Sequence, residues 1–179
     1  TLAIVTKIVF KLIPLPSKDI TMLVSFSSIE KACAAVSAVF RAGITPSALE
    51  FIERDAIDWT LKYSDFDISI KDDVKAHLLI EVDGNDMDIL YNECEKVDQV
   101  MQEFDCHDVL IADTRKEKDQ LWKLRRSISE AVKNNSIYKE EDTVVPRAEL
   151  PKLIQGVKSI GKKYGFKSVC YGHAGDGNL

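Results

Sequence analysis

Residues 21–52 carry the architecture: Thr21-Met22-Leu23-Val24-Ser25-Phe26, then Ser28, then apolar positions at Ile29, Ala32, Cys33, Val36, Val39 and Phe40 closed by Gly43, then Ala48-Leu49-Glu50-Phe51-Ile52. The two short apolar runs have the composition of strands, and the middle series has the three-and-four spacing of an amphipathic helix. Ser28 is a suitable N-cap, although Lys31 stands where a capping box would place Glu, and Gly43 is a natural stop. The stretch therefore predicts a β-α-β unit.

Working outward, the pattern recurs. Ala76 to Val82 predicts a strand, Asn85 caps a helix carrying Met87, Leu90, Cys94, Val97 and Met101, and Asp108 to Ala112 is a strand again. Two such units predict an α+β, ferredoxin-like fold: a mainly antiparallel sheet covered by helices on one face. Asp55 to Tyr63 reads as a short helix, and Ser64 to Lys75 as a surface connection that could hold a short strand through Ile68 and Ile70. Ile4 to Ile13 alternates before Pro14 and Pro16, the pattern of a strand with one wet face. Thr114 to Asn134 is the longest predicted helix, with Leu121, Leu124, Ile128, Ala131 and Val132 as its buried stripe. Glu140 to Pro146 is extended, Ala148 to Tyr164 is a helix closed by Gly165, and Phe166 to Tyr171 is a last strand.

Composition excludes several classes. With 179 residues, 45% hydrophobic, the chain can bury one core. A net charge of -5 and a pI near 5.3 oppose a nucleic-acid surface, which needs clustered Lys and Arg. No apolar run reaches the roughly 18 residues of a membrane span. Cys33, Cys94, Cys106 and Cys170 show no C-x-x-C spacing and read as buried thiols in a reducing compartment, hence a cytoplasmic location, with peripheral membrane attachment left open.

Two clusters carry chemistry. Tyr171-Gly172-His173-Ala174-Gly175-Asp176-Gly177-Asn178-Leu179 sets one histidine among three glycines at a strand end, where a rigid element can hold a ligand atom or proton-transfer group. The same residues also describe an ordinary turn. On the long helix, Trp122, Arg125 and Ser129 share a stripe beside the core face, where a guanidinium can grip a carboxylate through two parallel N–H groups. The alternative is a surface arginine paired with Glu130 or Glu149. His77 and His107 suggest no chemical role.

The glycine-rich nonapeptide resembles the signature of the C-terminal domain of FAD-linked oxidases of the vanillyl-alcohol oxidase type, in the branch of glycolate oxidase, D-lactate dehydrogenase and D-2-hydroxyglutarate dehydrogenase. Trp122-Lys123-Leu124-Arg125-Arg126-Ser127-Ile128-Ser129-Glu130-Ala131 is similar to that branch's substrate helix, and Glu141-Asp142-Thr143-Val144-Val145-Pro146 to its Val-Pro stretch. Thr1-Leu2-Ala3-Ile4-Val5-Thr6-Lys7 resembles the end of its flavin-binding domain, with Ala3 in place of a glycine.

The resemblance implies that residues 1–16 lead in from the FAD domain and residues 17–179 are the substrate (cap) domain, cut before its end. It implies FAD beside Ile4, Val5 and Asn178, a divalent metal (zinc, iron or manganese) on His173, and a substrate carboxylate on Arg125 and Ser129. In the family a second histidine follows the leucine of the motif, a glutamate completes the metal site, and the proton-accepting base lies further on, so no catalytic residue is assigned within this chain. Lys139 is near the place of a further substrate lysine of the D-2-hydroxyglutarate enzymes, although counting back from Pro146 puts Glu140 in register. The implied activity of the intact parent is oxidation of a small D-2-hydroxy acid such as glycolate or D-lactate to the 2-keto acid by hydride transfer to FAD, with electron-transfer subunits as further partners. The chain alone is expected to be inactive and nearly flavin-free. Two alternatives stand beside this: a non-catalytic ferredoxin-like module that binds a ligand or partner, and a flavoprotein of the same superfamily with another substrate.

Overall fold

A computed structural model describes residues 3–63, 70–112 and 114–179. Its elements in order are β1 (Lys18–Phe26), α1 (Ile29–Arg41), β2 (Ala48–Glu53), α2 (Arg54–Leu61), β3 (Ala76–Gly84), α3 (Met87–Glu103), β4 (Cys106–Ala112), α4 (Arg115–Asn135), α5 (Leu150–Tyr164) and β5 (Tyr171–Gly172). One-turn 3-10 segments at Arg147–Glu149 and Ala174–Asp176 precede α5 and follow β5.

The sheet order is β4-β1-β3-β2-β5, and every pairing is antiparallel. β3 lies between β1 and β2, so the two β-α-β units interleave as the ferredoxin-like reading requires, with α2 inserted between β2 and β3. Alternation along the strands sends Met22, Val24, Phe26, Phe51, Leu78 and Ile80 to one face, where α1, α3 and α5 bury them. The opposite face is covered as well. Leu23, Ile52 and Leu79 pack there against Ala56 and Ile57 of α2 and Leu121, Leu124 and Ile128 of α4. The sequence reading placed helices on one face; the long helix adds a second layer because its apolar stripe needs sheet to cover.

Local chemistry fixes the helix ends. Ser28 Oγ accepts the Lys31 N–H at 3.2 Å, as expected. Thr114 and Glu117 form a reciprocal capping box on α4. At α3 the cap is Asp86, not Asn85: Asp86 Oδ1 accepts the Asp88 and Ile89 N–H groups, while Asn85 Oδ1 accepts the Ser17 N–H at 3.1 Å.

Two expected strands differ. Residues 4–13 form no strand and pair with none of the strands of the described sheet, and Ile4, Val5, Ile8, Val9, Phe10, Leu12 and Ile13 are exposed. The last strand shortens to Tyr171–Gly172, since β2 presents only Ile52 and Phe51 for pairing there. The strand suggested around Ile68 and Ile70 falls largely outside the described residues.

Candidate functional site

Glu50 stands in the middle of β2 on the face covered by α4, 4% exposed. A carboxylate removed from water in this way requires charged or N–H partners. Arg125, on α4, supplies two through Nε at 2.9 Å and Nη2 at 2.7 Å, both to Glu50 Oε2. His173 supplies the third: its Nδ1 lies 2.6 Å from Glu50 Oε1. One strand carboxylate thus joins the long helix to the glycine-rich loop. Arg125 is not the surface arginine paired with Glu130 or Glu149; its side chain is 12% exposed, and Glu149 is bound by Lys152.

The guanidinium also sits over Tyr171, 5.3 Å from the ring centroid, so β5 supports it from a second side. Of the five N–H donors of an arginine, Glu50 takes one from Nε and one from Nη2. Two Nη1–H donors and one Nη2–H donor are not taken by Glu50. Ser129 follows one turn later on α4, half-buried. Trp122, one turn earlier, donates its Nε1–H to Glu81 Oε2 at 2.9 Å, and Thr21 Oγ1 donates to the same oxygen at 3.0 Å. α4 is therefore seated on the sheet by two acid contacts three residues apart.

The loop that presents His173 is held by backbone pairing. Thr143 and Leu179 exchange both N–H···O bonds at 3.0 Å, and the Val145 N–H donates to the Gly177 carbonyl at 3.0 Å. Thr143 and Val145 thus hold the loop through main-chain bonds. Gly177 has φ +78°, and a Cβ there would lie 2.0 Å from the Val145 oxygen, so only glycine fits. The His173 carbonyl accepts the Asp176 and Asn178 N–H groups, closing the turn on itself.

With Nδ1 against Glu50, His173 turns Nε2 outward on a side chain 64% exposed. A metal-ligating imidazole is held in this way, with its second nitrogen on a carboxylate. The donor fits a divalent cation as one ligand; among the described residues no three His, Cys, Asp or Glu side chains gather as a ligand set. Beside it a cavity of about 240 Å³ is lined by Phe40, Ser47, Glu50, Arg147, His173 and Asp176, among others. Arg147 stacks its guanidinium 3.8 Å from the Phe40 ring and donates to the Gly175 carbonyl.

The remaining expected site residues lie elsewhere. Lys139 pairs with Glu141 at 2.9 Å, both side chains largely exposed. Asn178 donates its side-chain amide to Asp142 Oδ1 at 2.6 Å, which ties the loop to the Val-Pro stretch. Ile4 and Val5 are 88% and 71% exposed. Burial raises the thiol pKa of Cys94 and Cys170, each to about 11, so these cysteines are unreactive near neutrality. Glu50 was missed in the sequence. An acid inside an apolar strand run was the available signal, since such a residue needs a partner once the strand is covered.

Residues 15–179 match the protein family described as FAD linked oxidases, C-terminal domain. Over its whole length the chain is 32% identical to a D-lactate dehydrogenase of Anaerostipes hadrus, of which it covers 39%. It is 34% identical to the glycolate oxidase subunit GlcD of Bacillus subtilis, of which it covers 38%. The chain spans less than two fifths of the length of these curated relatives. Among solved structures, alkyldihydroxyacetonephosphate synthase shares the fold with a TM-score of 0.56 at 14% identity, over 83% of this chain and 32% of that one. Among the described residues no helix is long and apolar enough to cross a membrane.

Proposed function

The chain belongs to the FAD-linked oxidase C-terminal domain family, and on that premise we propose that it is the substrate domain of an oxidoreductase that converts a small D-2-hydroxy acid to the 2-keto acid. The observation that carries this reading is the meeting of Arg125 and His173 on the single carboxylate of Glu50. A guanidinium and an imidazole so placed can face one small molecule, the first taking its carboxylate and the second lying beside its hydroxyl.

When bound, FAD supplies the acceptor for the hydride of the carbinol carbon, and a divalent cation on His173 supplies acidity to the adjacent hydroxyl. The chain's own residues do the positioning. Arg125 offers its Nη1–Nη2 fork to the carboxylate, Ser129 adds a hydroxyl one turn away, and Tyr171 keeps the guanidinium from swinging. His173 holds Nε2 toward the ligand because Glu50 occupies Nδ1. Lys139 is engaged with Glu141 at the surface, which favours a monocarboxylate such as glycolate or D-lactate over a dicarboxylate.

Steady-state assays of the intact parent with glycolate, D-lactate and D-2-hydroxyglutarate and an artificial electron acceptor test the reading. Turnover of one of the monocarboxylates is expected, with Arg125→Lys raising KM by about tenfold or more as bidentate contact is lost. No turnover with any of the three would overturn it.

A further inference from the structure

We infer that Glu50 is a positioning residue that selects the nitrogen His173 presents and, through the same carboxylate, fixes where Arg125 stands relative to it. Three observations meet in this residue. Its side chain is 5% exposed, so water does not compete for its oxygens. Its two oxygens are divided between the partners, Oε1 to His173 and Oε2 to Arg125, so that moving one partner disturbs the other. It projects from the centre of β2, which is paired to β3 on one side and to β5 on the other, so the carboxylate has a rigid base.

The chemical consequence lies in the imidazole. Neutral histidine in water prefers its proton on Nε2, which would leave Nδ1 as the acceptor and metal-binding nitrogen. A carboxylate 2.6 Å from Nδ1 accepts a hydrogen bond only if that nitrogen is protonated. Glu50 therefore reverses the preference and leaves the Nε2 lone pair on the exposed side of the ring, where a cation or a hydroxyl proton can reach it. His173 is also anchored through its backbone, since its carbonyl accepts two N–H groups of the turn, so the ring needs only this one side-chain contact to be oriented. What the oriented nitrogen does rests on the function proposed above; the orientation itself does not.

Imidazole nitrogen chemical shifts of this chain at alkaline pH, where histidine is neutral, test the inference. The chain has three histidines, His77, His107 and His173, and His173→Asn identifies the third. The expected wild-type result is the Nδ1–H form as the dominant species of His173. In Glu50→Gln the ratio of Nδ1–H to Nε2–H falls by about tenfold, the loss of one charge-assisted contact. A wild-type protein with His173 mainly in the Nε2–H form overturns the inference, and this holds even if Glu50→Gln fails to fold. An unchanged ratio in a folded Glu50→Gln overturns it as well. Should the nitrogen shifts come out as expected while the intact parent oxidises none of the three hydroxy acids, the proposed function falls and the positioning role stands.

Discussion

Tyr171 lies under the guanidinium of Arg125, and through it β5, a strand of two residues, supports a side chain of the longest helix. The same guanidinium is charge-paired with Glu50 on its other edge, so its position is fixed by two independent contacts. Replacing Tyr171 with Phe keeps the ring and is expected to leave stability within about 0.5 kcal/mol of wild type. Tyr171→Leu removes the cation–π contact and should cost about 1–2 kcal/mol. Arg125→Leu should cost more, about 3–5 kcal/mol, because Glu50 is then buried without its countercharge. Urea unfolding of the three variants checks the order, and equal effects of Phe and Leu at 171 would remove the ring contact from the account.

Gly177 makes a second prediction, because its φ of +78° and its approach to Val145 act together. Gly177→Ala places a methyl group 2.0 Å from the Val145 oxygen, so the 143–145 segment must separate from the loop. The strained backbone alone costs about 1–3 kcal/mol. Hydrogen exchange offers a local reading: the Thr143, Val145 and Leu179 amides, which bond across this pair, should lose protection while the β1 and β3 amides keep theirs. Retained protection at Val145 would mean that the loop tolerates the methyl group.

The sheet and helices were legible in the sequence wherever a period met a stop signal. Gly43 and Gly165 end α1 and α5 in left-handed conformations, and Ser28 and Thr114 cap their helices through their side chains. The N-terminal alternation misled for a physical reason: a period of two says which residues would share a face, but a strand also needs a partner strand, and residues 4–13 pair with none in the described sheet. His173 and Arg125 were visible by chemistry and by resemblance. Glu50 was not read as a site residue: the apolar run around it signals only that the acid needs a partner once covered, and its partners come from 75 and 123 residues away.

His77 ties stability to pH. It is 4% exposed on β3, and its Nδ1 has no hydrogen-bond partner among the described residues. Burial, aided by the nearby Arg54 charge and opposed by Asp58, lowers its pKa from 6.5 to about 4. The folded protein therefore keeps His77 neutral while the unfolded chain takes up a proton as pH falls through 6.5. Unfolded chains bind more protons in this window, so stability is full above pH 6.5 and declines toward pH 4, by about 3 kcal/mol in all. In His77→Phe this contribution to the slope should vanish. Chemical denaturation of both proteins across pH 4 to 7 measures it, and parallel curves would assign the acid sensitivity to other groups.

The exposed N-terminal segment leads to the last prediction. Ile4, Val5, Ile8, Val9, Phe10, Leu12, Ile13 and Leu15 are between 61% and 88% exposed, a density of apolar surface that favours association with another apolar surface. The domain's own bonds begin just after it: the Ser17 N–H reaches the Gly84 carbonyl and Asn85 Oδ1, and Lys18 pairs with Gly84. Removing residues 1–16 should therefore leave the unfolding free energy unchanged within about 0.5 kcal/mol. It should also abolish concentration-dependent self-association measured by light scattering. The two readouts separate the possibilities. Unchanged stability with lost association places the segment outside the core of this domain, whereas a fall of about 2 kcal/mol or more would mean that these side chains pack against the sheet or its helices in solution, contrary to the structure.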